Sequence, residues 1–204
     1  MTHLPSEQSP VNKGNTLFPV FFRMENLQIV VIGGGAVGTE KVTAILTNSP
    51  DAKVRVVAPE IRTEIVELAN QYKGLSFVYK TYESGDIEDA DLVIAATCIP
   101  DLNKQVQADA KRLRILINVA DTPELCDFYL SSVVRKGDLK IAISTNGKSP
   151  TFAKRLREIF TEVIPDNMDD VLQKLHDIRN QLKGNFEYKV QKMDEITKDI
   201  LGRK

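Results

Sequence analysis

"QIVVIGGGAVGTEK", residues 28–41, runs from an apolar stretch into three glycines and then into a chain with helical character. Residues 28–32 have the length and branching of a buried strand, and 36–47 read as the helix after it. Gly33, Gly35 and Gly38 fit G-x-G-x-x-G, in the strand-to-helix setting that a dinucleotide fingerprint requires. Each glycine has its own task. Gly33 permits a tight turn, Gly35 lets the backbone approach a pyrophosphate, and Gly38 lets helix and strand pack closely. The helix N-terminus adds unpaired N–H groups and positive dipole character. A glycine-rich turn with no ligand is the plainer alternative. The loop is not a Walker A loop, because no Gly-Lys-Ser/Thr follows at the required spacing and Lys41 lies a turn inside the helix.

Outward from that loop, short apolar runs alternate with helix-like segments. Further strands are expected at 53–58, 76–80, 91–97 and 115–121, with helices around 60–71 and near 100–112, the latter opening at Pro100. Strands separated by helical crossovers predict an α/β fold, a Rossmann-like doubly wound parallel sheet covered on both faces. This nucleotide-binding domain is expected over 16–122. Residues 1–15, polar and proline-containing, read as a flexible arm, unlike a signal peptide with its apolar centre.

The rhythm changes after Asp121. Two β-rich runs flank Arg135-Lys136-Gly137-Asp138, a hairpin signal, and the region 123–150 is assigned to that hairpin. Ser149 and Pro150 suit the N-cap and first position of a helix with Phe152, Leu156, Ile159, Phe160 and Val163 at helical spacing. Pro165 breaks it. Val171, Leu172, Leu175, Ile178 and Leu182 mark a second amphipathic helix, and 188–201 a third, so 151–204 reads as a small helical region. That second region is too small in pattern to look self-sufficient, which points to burial against a partner subunit.

Composition narrows the function classes. The net charge of −1 gives no support for bulk nucleic-acid or membrane attraction. No run approaches the ~18 apolar residues of a membrane span. Cys98 and Cys126 are far apart, with no Cys-x-x-Cys or Cys/His cluster, which argues against a disulfide framework or structural zinc and favours the reducing cytoplasm.

The acidic partner of a dinucleotide ribose belongs at the end of the second strand, where Ala58-Pro59-Glu60 stands. Glu60 suits that role, or equally that of a carboxylate opening the next helix. No arginine sits immediately after the expected strand to receive a 2′-phosphate, so NAD is favoured over NADP. Ligands of open α/β sheets lie beyond the carboxyl ends of the strands. Ala95-Ala96-Thr97 and Asn118-Val119-Ala120-Asp121 occupy two such ends, the first small enough for a cofactor to lie close. Asp121 is placed for proton transfer beside a nicotinamide, or else caps a turn through Thr122-Pro123.

Four ordered blocks carry a resemblance: "LFPVFFRMENLQIVVIGGGAVGTEKV", "LVIAATCIPDLNKQV", "NVADTPELCDFYLSSVV" and "ISTNGKSPTFAKRLRE". Over roughly residues 17–165 the chain is similar to the precorrin-2 dehydrogenase/sirohydrochlorin ferrochelatase family, the dehydrogenase modules of siroheme biosynthesis. The resemblance implies NAD-dependent oxidation of precorrin-2 to sirohydrochlorin. In many members insertion of ferrous iron follows, with iron as co-substrate. It also implies a homodimer in which the hairpin and helices interlock, with tetrapyrroles as the small-molecule partners. Asp121 inherits the catalytic aspartate's role. NAD contacts are implied for the glycine loop, here Gly33, Gly34, Gly35, Ala36 and Val37, and for Pro59 and Glu60 after the second strand. Ala96, Thr97, Asn118 and Val119 complete the expected cofactor set.

For a polycarboxylate substrate, Thr145, Asn146, Gly147 and Ser149 before the helix at 150 form a candidate anion-friendly corner. Lys148, Lys154, Arg155 and Arg157 are candidates for charge recognition, against the plain reading of a solvated helix face. No metal ligand set is identified. His176 reads as an ordinary surface or interface residue. Where fused members carry a regulatory phosphoserine, the threonine Thr145 stands here in its place, and the methyltransferase domain of those members is not expected. A dinucleotide-sensing regulatory subunit is the alternative to an enzyme.

Overall fold

The structure, a computed structural model, describes residues 14–198. Residues 1–13 of the expected arm, and the end of the last expected helix, lie outside them. Contacts divide the chain into two units, 1–130 and 131–204.

In the first unit, five parallel strands form one sheet in the order β3-β2-β1-β4-β5. They are β1 (Gln28–Gly34), β2 (Lys53–Ile61), β3 (Leu75–Tyr79), β4 (Leu92–Ala95) and β5 (Leu116–Val119). The helices α1 (Ala36–Asn48), α2 (Thr63–Leu68) and α3 (Pro100–Leu113) make the crossovers. Side chains alternate across a strand, so an unbroken apolar run needs cover on both faces. Ile29 and Val31 of β1 pack with Val42, Ile45 and Leu46 of α1 and Ile65 of α2. Val30 and Ile32 look the other way, into a cluster with Val106 and Ala110 of α3. Each fully buried Val, Ile or Leu is worth about 1.5–3 kcal/mol of burial. The doubly wound sheet expected from the apolar runs is the fold observed. The strand order reverses between β1 and β4, and this is where such sheets bind ligands.

The second strand and the helix after it differ from expectation. β2 does not stop at residue 58, and α2 is confined to Thr63–Leu68. Tertiary pairing decides this. After Val57 the register with β1 skips, and Gly34 then pairs with Ile61. Pro59, which has no N–H to donate, falls in the skipped stretch. The Arg62 N–H reaches the Gly34 carbonyl at 3.0 Å and closes the extension. Glu60 therefore lies in a strand, which rules out its reading as a helix-opening carboxylate. Arg62 follows the strand directly, so the argument for NAD over NADP from a missing arginine fails. Strands four and five are also shorter than 91–97 and 115–121, leaving Ala96, Thr97, Ala120 and Asp121 in loops beyond their carboxyl ends.

In the second unit, β6 (Ser132–Lys136) and β7 (Leu139–Ile143) form an antiparallel hairpin. Arg135 and Lys136 belong to the strand, and the turn is the two residues Gly137-Asp138, with Gly137 at φ 58° as a tight hairpin requires. The Asp138 N–H donates to Asp169 Oδ1 at 2.7 Å, tying the turn to α5 (Met168–Gln181). Helix α4 (Pro150–Val163) starts as expected: Ser149 Oγ accepts the Phe152 N–H at 3.2 Å and Pro150 takes the first position. It ends before Pro165. Leu182 terminates α5 rather than continuing it, and α6 (Phe186–Thr197) opens at Asn185, whose side chain accepts the Tyr188 N–H.

Candidate active site

The glycine turn is built by close approach on three sides. Gly33 has φ 118°, and a Cβ there would lie 2.5 Å from the Ala96 carbonyl oxygen. One on Gly34 would meet the Glu60 carbonyl, and one on Gly38 would meet the carbonyl of Gly33. Gly35 is different. A Cβ there would meet nothing within 4 Å, so this position faces open space. Gly35 is also the N-cap of α1, with no side chain to cap the first turn and no acidic residue within it. The amides of Ala36 and Val37 belong to that uncapped first turn. The result is an open, positively polarised helix end with room above it, which fits a pyrophosphate.

Pro59 and Glu60 are exposed on the extended end of β2. Arg62 lies beside them, with its guanidinium held by Glu64 at 2.5 Å. At the end of β4, Ala96 is buried and its N–H donates to the Ile32 carbonyl at 2.8 Å. Thr97 is held by Asn103 of α3. The Thr97 hydroxyl donates to Asn103 Oδ1 at 2.7 Å, the Thr97 N–H donates to the same oxygen at 3.2 Å, and Asn103 Nδ2 returns to the Thr97 carbonyl at 3.1 Å. The Ala96–Thr97 loop is thus a fixed floor beside the glycine turn. Asn103 was missed in the sequence. Its signal was there: a polar residue in register with Val106 and Ala110 on the buried face of α3.

Asp121 stands in the loop after β5 with φ 57°, a left-handed conformation that aspartate tolerates better than most residues. Among the described residues its exposed carboxylate takes no hydrogen bond or ion pair, so it does not cap the turn that follows. The loop is closed instead by backbone, Ala120 N–H to Ala95 carbonyl at 2.9 Å and Thr122 N–H to Val119 carbonyl at 3.3 Å.

Asn118 and Val119 are engaged elsewhere. Asn118 is buried and its amide donates to the Phe128 carbonyl at 2.8 Å. Val119 meets Cys126: its N–H donates to Sγ at 3.2 Å, and the thiol donates back to the Val119 carbonyl at 3.2 Å. Two residues earlier, Asp127 accepts the Ile117 N–H at 3.1 Å and gives its own N–H to the Ile117 carbonyl at 2.8 Å. Burial pushes the Cys126 thiol up, so it keeps its proton.

Thr145, Asn146, Gly147 and Ser149 lie in the second unit. Asn146 and Gly147 both have positive φ, and Thr145 Oγ1 accepts the Ser149 N–H at 3.2 Å. The hydroxyls of Thr145 and Ser149 thus shape the turn and cap α4. Lys148 and Lys154 are exposed, and Arg155 pairs with Glu158 at 2.9 Å. His176 is exposed on α5. Among the described residues no group of three or more His, Cys, Asp or Glu is arranged to hold a metal, and no helix is long and apolar enough to cross a membrane.

The residues around Gly35 fall within a region that is similar to known proteins. A family model described as "Putative NAD(P)-binding" matches residues 20–132, more than half of the chain. The chain belongs to this NAD(P)-binding family. A second model, "Sirohaem biosynthesis protein central", matches 136–162, immediately after the NAD(P)-binding module. The chain is 35% identical over 169 residues to a siroheme synthase of Psychrobacter cryohalolentis, covering 83% of this chain and 32% of that protein. It is 33% identical over 177 residues to the siroheme synthase of Nitrosospira multiformis, covering 85% and 37%. The chain therefore spans about a third of the length of the curated relatives it matches. Among solved structures, one described as "SirC, precorrin-2 dehydrogenase" superposes with a TM-score of 0.72 at 24% identity, covering 88% of this chain and 89% of that one. That likeness extends the shared fold beyond the NAD(P)-binding module.

Proposed function

We propose that the chain oxidises precorrin-2 to sirohydrochlorin with NAD as acceptor. The observation that carries this reading is the pairing, within one unit, of the open α1 N-terminus at Gly35 with Asp121 beyond β5, on a chain similar to siroheme synthases. Bound NAD supplies a nicotinamide ring that accepts the hydride. The amides of Ala36 and Val37 hold the pyrophosphate, and Gly35 leaves it room. Glu60 is placed for the adenosine ribose, and the Ala96–Thr97 floor, braced by Asn103, supports the nicotinamide half of the cofactor. Asp121 takes the proton that leaves the macrocycle with the hydride; its carboxylate has no partner among the described residues to compete for that proton.

Ferrous-iron insertion is a further step open to Asp121, as acceptor of pyrrole protons. The substrate carboxylates are assigned to the turn at Thr145, Asn146, Gly147 and Ser149. A homodimer is supported by Phe152, Ile159, Phe160 and Val163, which leave apolar surface exposed on α4. The free thiols of Cys98 and Cys126 suit the cytoplasm. The comparisons lend no support to a sensing subunit.

The test is direct. Purified chain with precorrin-2 and NAD is followed for NADH and for the macrocycle spectrum, beside Asp121→Ala. The wild-type chain should form NADH, and the variant should lose about 10²-fold or more in kcat, the scale of a lost general base. No NADH from wild type overturns the dehydrogenase, and a full rate from the variant overturns the role of Asp121. Sirohydrochlorin with ferrous ion and no NAD tests metal insertion separately.

A further inference from the structure

The loop that carries Asp121 runs from Ala120 to Leu125, and both of its ends meet at one side chain. Cys126 Sγ receives the Val119 N–H at 3.2 Å, donates to the Val119 carbonyl at 3.2 Å, and lies 3.4 Å from the Thr122 carbonyl inside the loop. Asn118 Nδ2 approaches the same sulfur at 3.5 Å. Thus the residue two before Asp121, the one directly after it and the one before Val119 all converge on a single thiol. A left-handed aspartate costs of order 1–3 kcal/mol and persists only where its surroundings over-determine it. The backbone bonds at Ala120 and Thr122 fix its two neighbours, and the sulfur fixes the frame that holds those bonds.

We infer that Cys126 is a positioning residue, whose thiol receives the Val119 N–H, shares its one proton between the Val119 and Thr122 carbonyls, and so holds the Asp121 carboxylate at the site of proton transfer. This rests on the reading of Asp121 as the base. The thiol acts as both donor and acceptor toward one residue, Val119, so it stands where a neighbouring strand's backbone would stand. Alanine removes both functions and leaves the Val119 N–H without its acceptor. Serine retains donor and acceptor on a shorter arm.

The experiment is a double-mutant cycle in the NADH assay with the full chain, using Cys126→Ala, Cys126→Ser, Asp121→Ala and Cys126→Ala/Asp121→Ala. Cys126→Ala should lower kcat about tenfold or more, the effect of a catalytic group shifted by a fraction of an ångström. The KM for NAD should stay within about twofold, because the glycine turn is untouched. Cys126→Ser should recover most of the rate. In the Asp121→Ala background, Cys126→Ala should cost nothing further. Rates are compared below the melting temperature of the weakest variant, where circular dichroism matches wild type. If the two losses multiply in the double variant, or Cys126→Ala raises KM for NAD as much as it lowers kcat, the thiol is merely structural and the inference fails. If Asp121→Ala alone runs at full rate, the reading of the base fails and carries the inference with it. A full rate from Cys126→Ala beside a slow Asp121→Ala overturns the inference alone.

Discussion

Arg62 shows how one residue can be read correctly by type and wrongly by place. In the sequence it stands four positions past the expected end of the second strand, too far to matter for the cofactor. In the structure it follows β2 directly, with its N–H on the Gly34 carbonyl. An arginine there is the usual host for the 2′-phosphate of NADP, but Glu64 already holds this guanidinium. Glu64→Gln should therefore improve NADPH affinity about tenfold while leaving NADH within about twofold, as charge-assisted phosphate contacts imply. Fluorescence titration with the two reduced cofactors measures the ratio without any tetrapyrrole. The error had a physical source. The length of β2 is decided by a pairing with Gly34, and nothing local to residues 58–62 encodes it. Gly33 and Gly38 were legible because the turn and the close strand–helix junction demand them, and Gly35 because a phosphate needs the room a side chain would take. Cys126 was not, because its role lies in standing in for a strand.

At the scale of elements, the β1–α1 junction has no slack. Gly38→Ala drives a methyl into the Gly33 carbonyl, and neither strand nor helix can withdraw without breaking the turn. It should cost at least about 2 kcal/mol of stability, read as a lower denaturation midpoint with unchanged slope. Gly35→Ala is the matched control, since its Cβ enters open space; it should leave stability nearly intact and weaken the cofactor instead. Elsewhere in the unit, Arg55 of β2 grips Asp89 in the turn before β4, with Nη1 2.9 Å from Oδ2. That guanidinium holds the Asp89 carboxyl below the usual carboxylate range. A depressed carboxylate stabilises the fold above its unfolded pKa, about 3.9, and the contribution fades as pH falls through the folded value. Asp89→Asn should thus flatten the fall in melting temperature below about pH 4, while lowering it at neutral pH. The strands and helices of the first unit were readable from periodicity, because a sheet buried on both faces writes itself as unbroken apolar runs. Their ends were less so, because Ala96 and Thr97, and Ala120 and Asp121, leave the sheet under side-chain and loop bonds that periodicity does not register.

At the scale of the whole molecule, α4 bears on assembly. On α4, Val163 is 71% exposed and Phe152 56%, too much apolar surface along one helix to leave in water without purpose. If the proposed homodimer uses this helix, Phe160→Asp should shift sedimentation from dimer toward monomer at micromolar concentration, with the melting of the first unit unchanged. The large sheet has one flank whose backbone groups are already occupied from within the chain. Along the outer side of β5, the peptide groups of Ile117 and Val119 are already spent on Asp127 and Cys126. A strand from another copy arriving there would find no donor and no acceptor in the places where a ladder needs them. The chain therefore carries its own stopper against edge-to-edge growth, made from the Cys126 thiol and the backbone and carboxylate of Asp127, and growth in ordered stacks is closed off on the flank that bears Asp121.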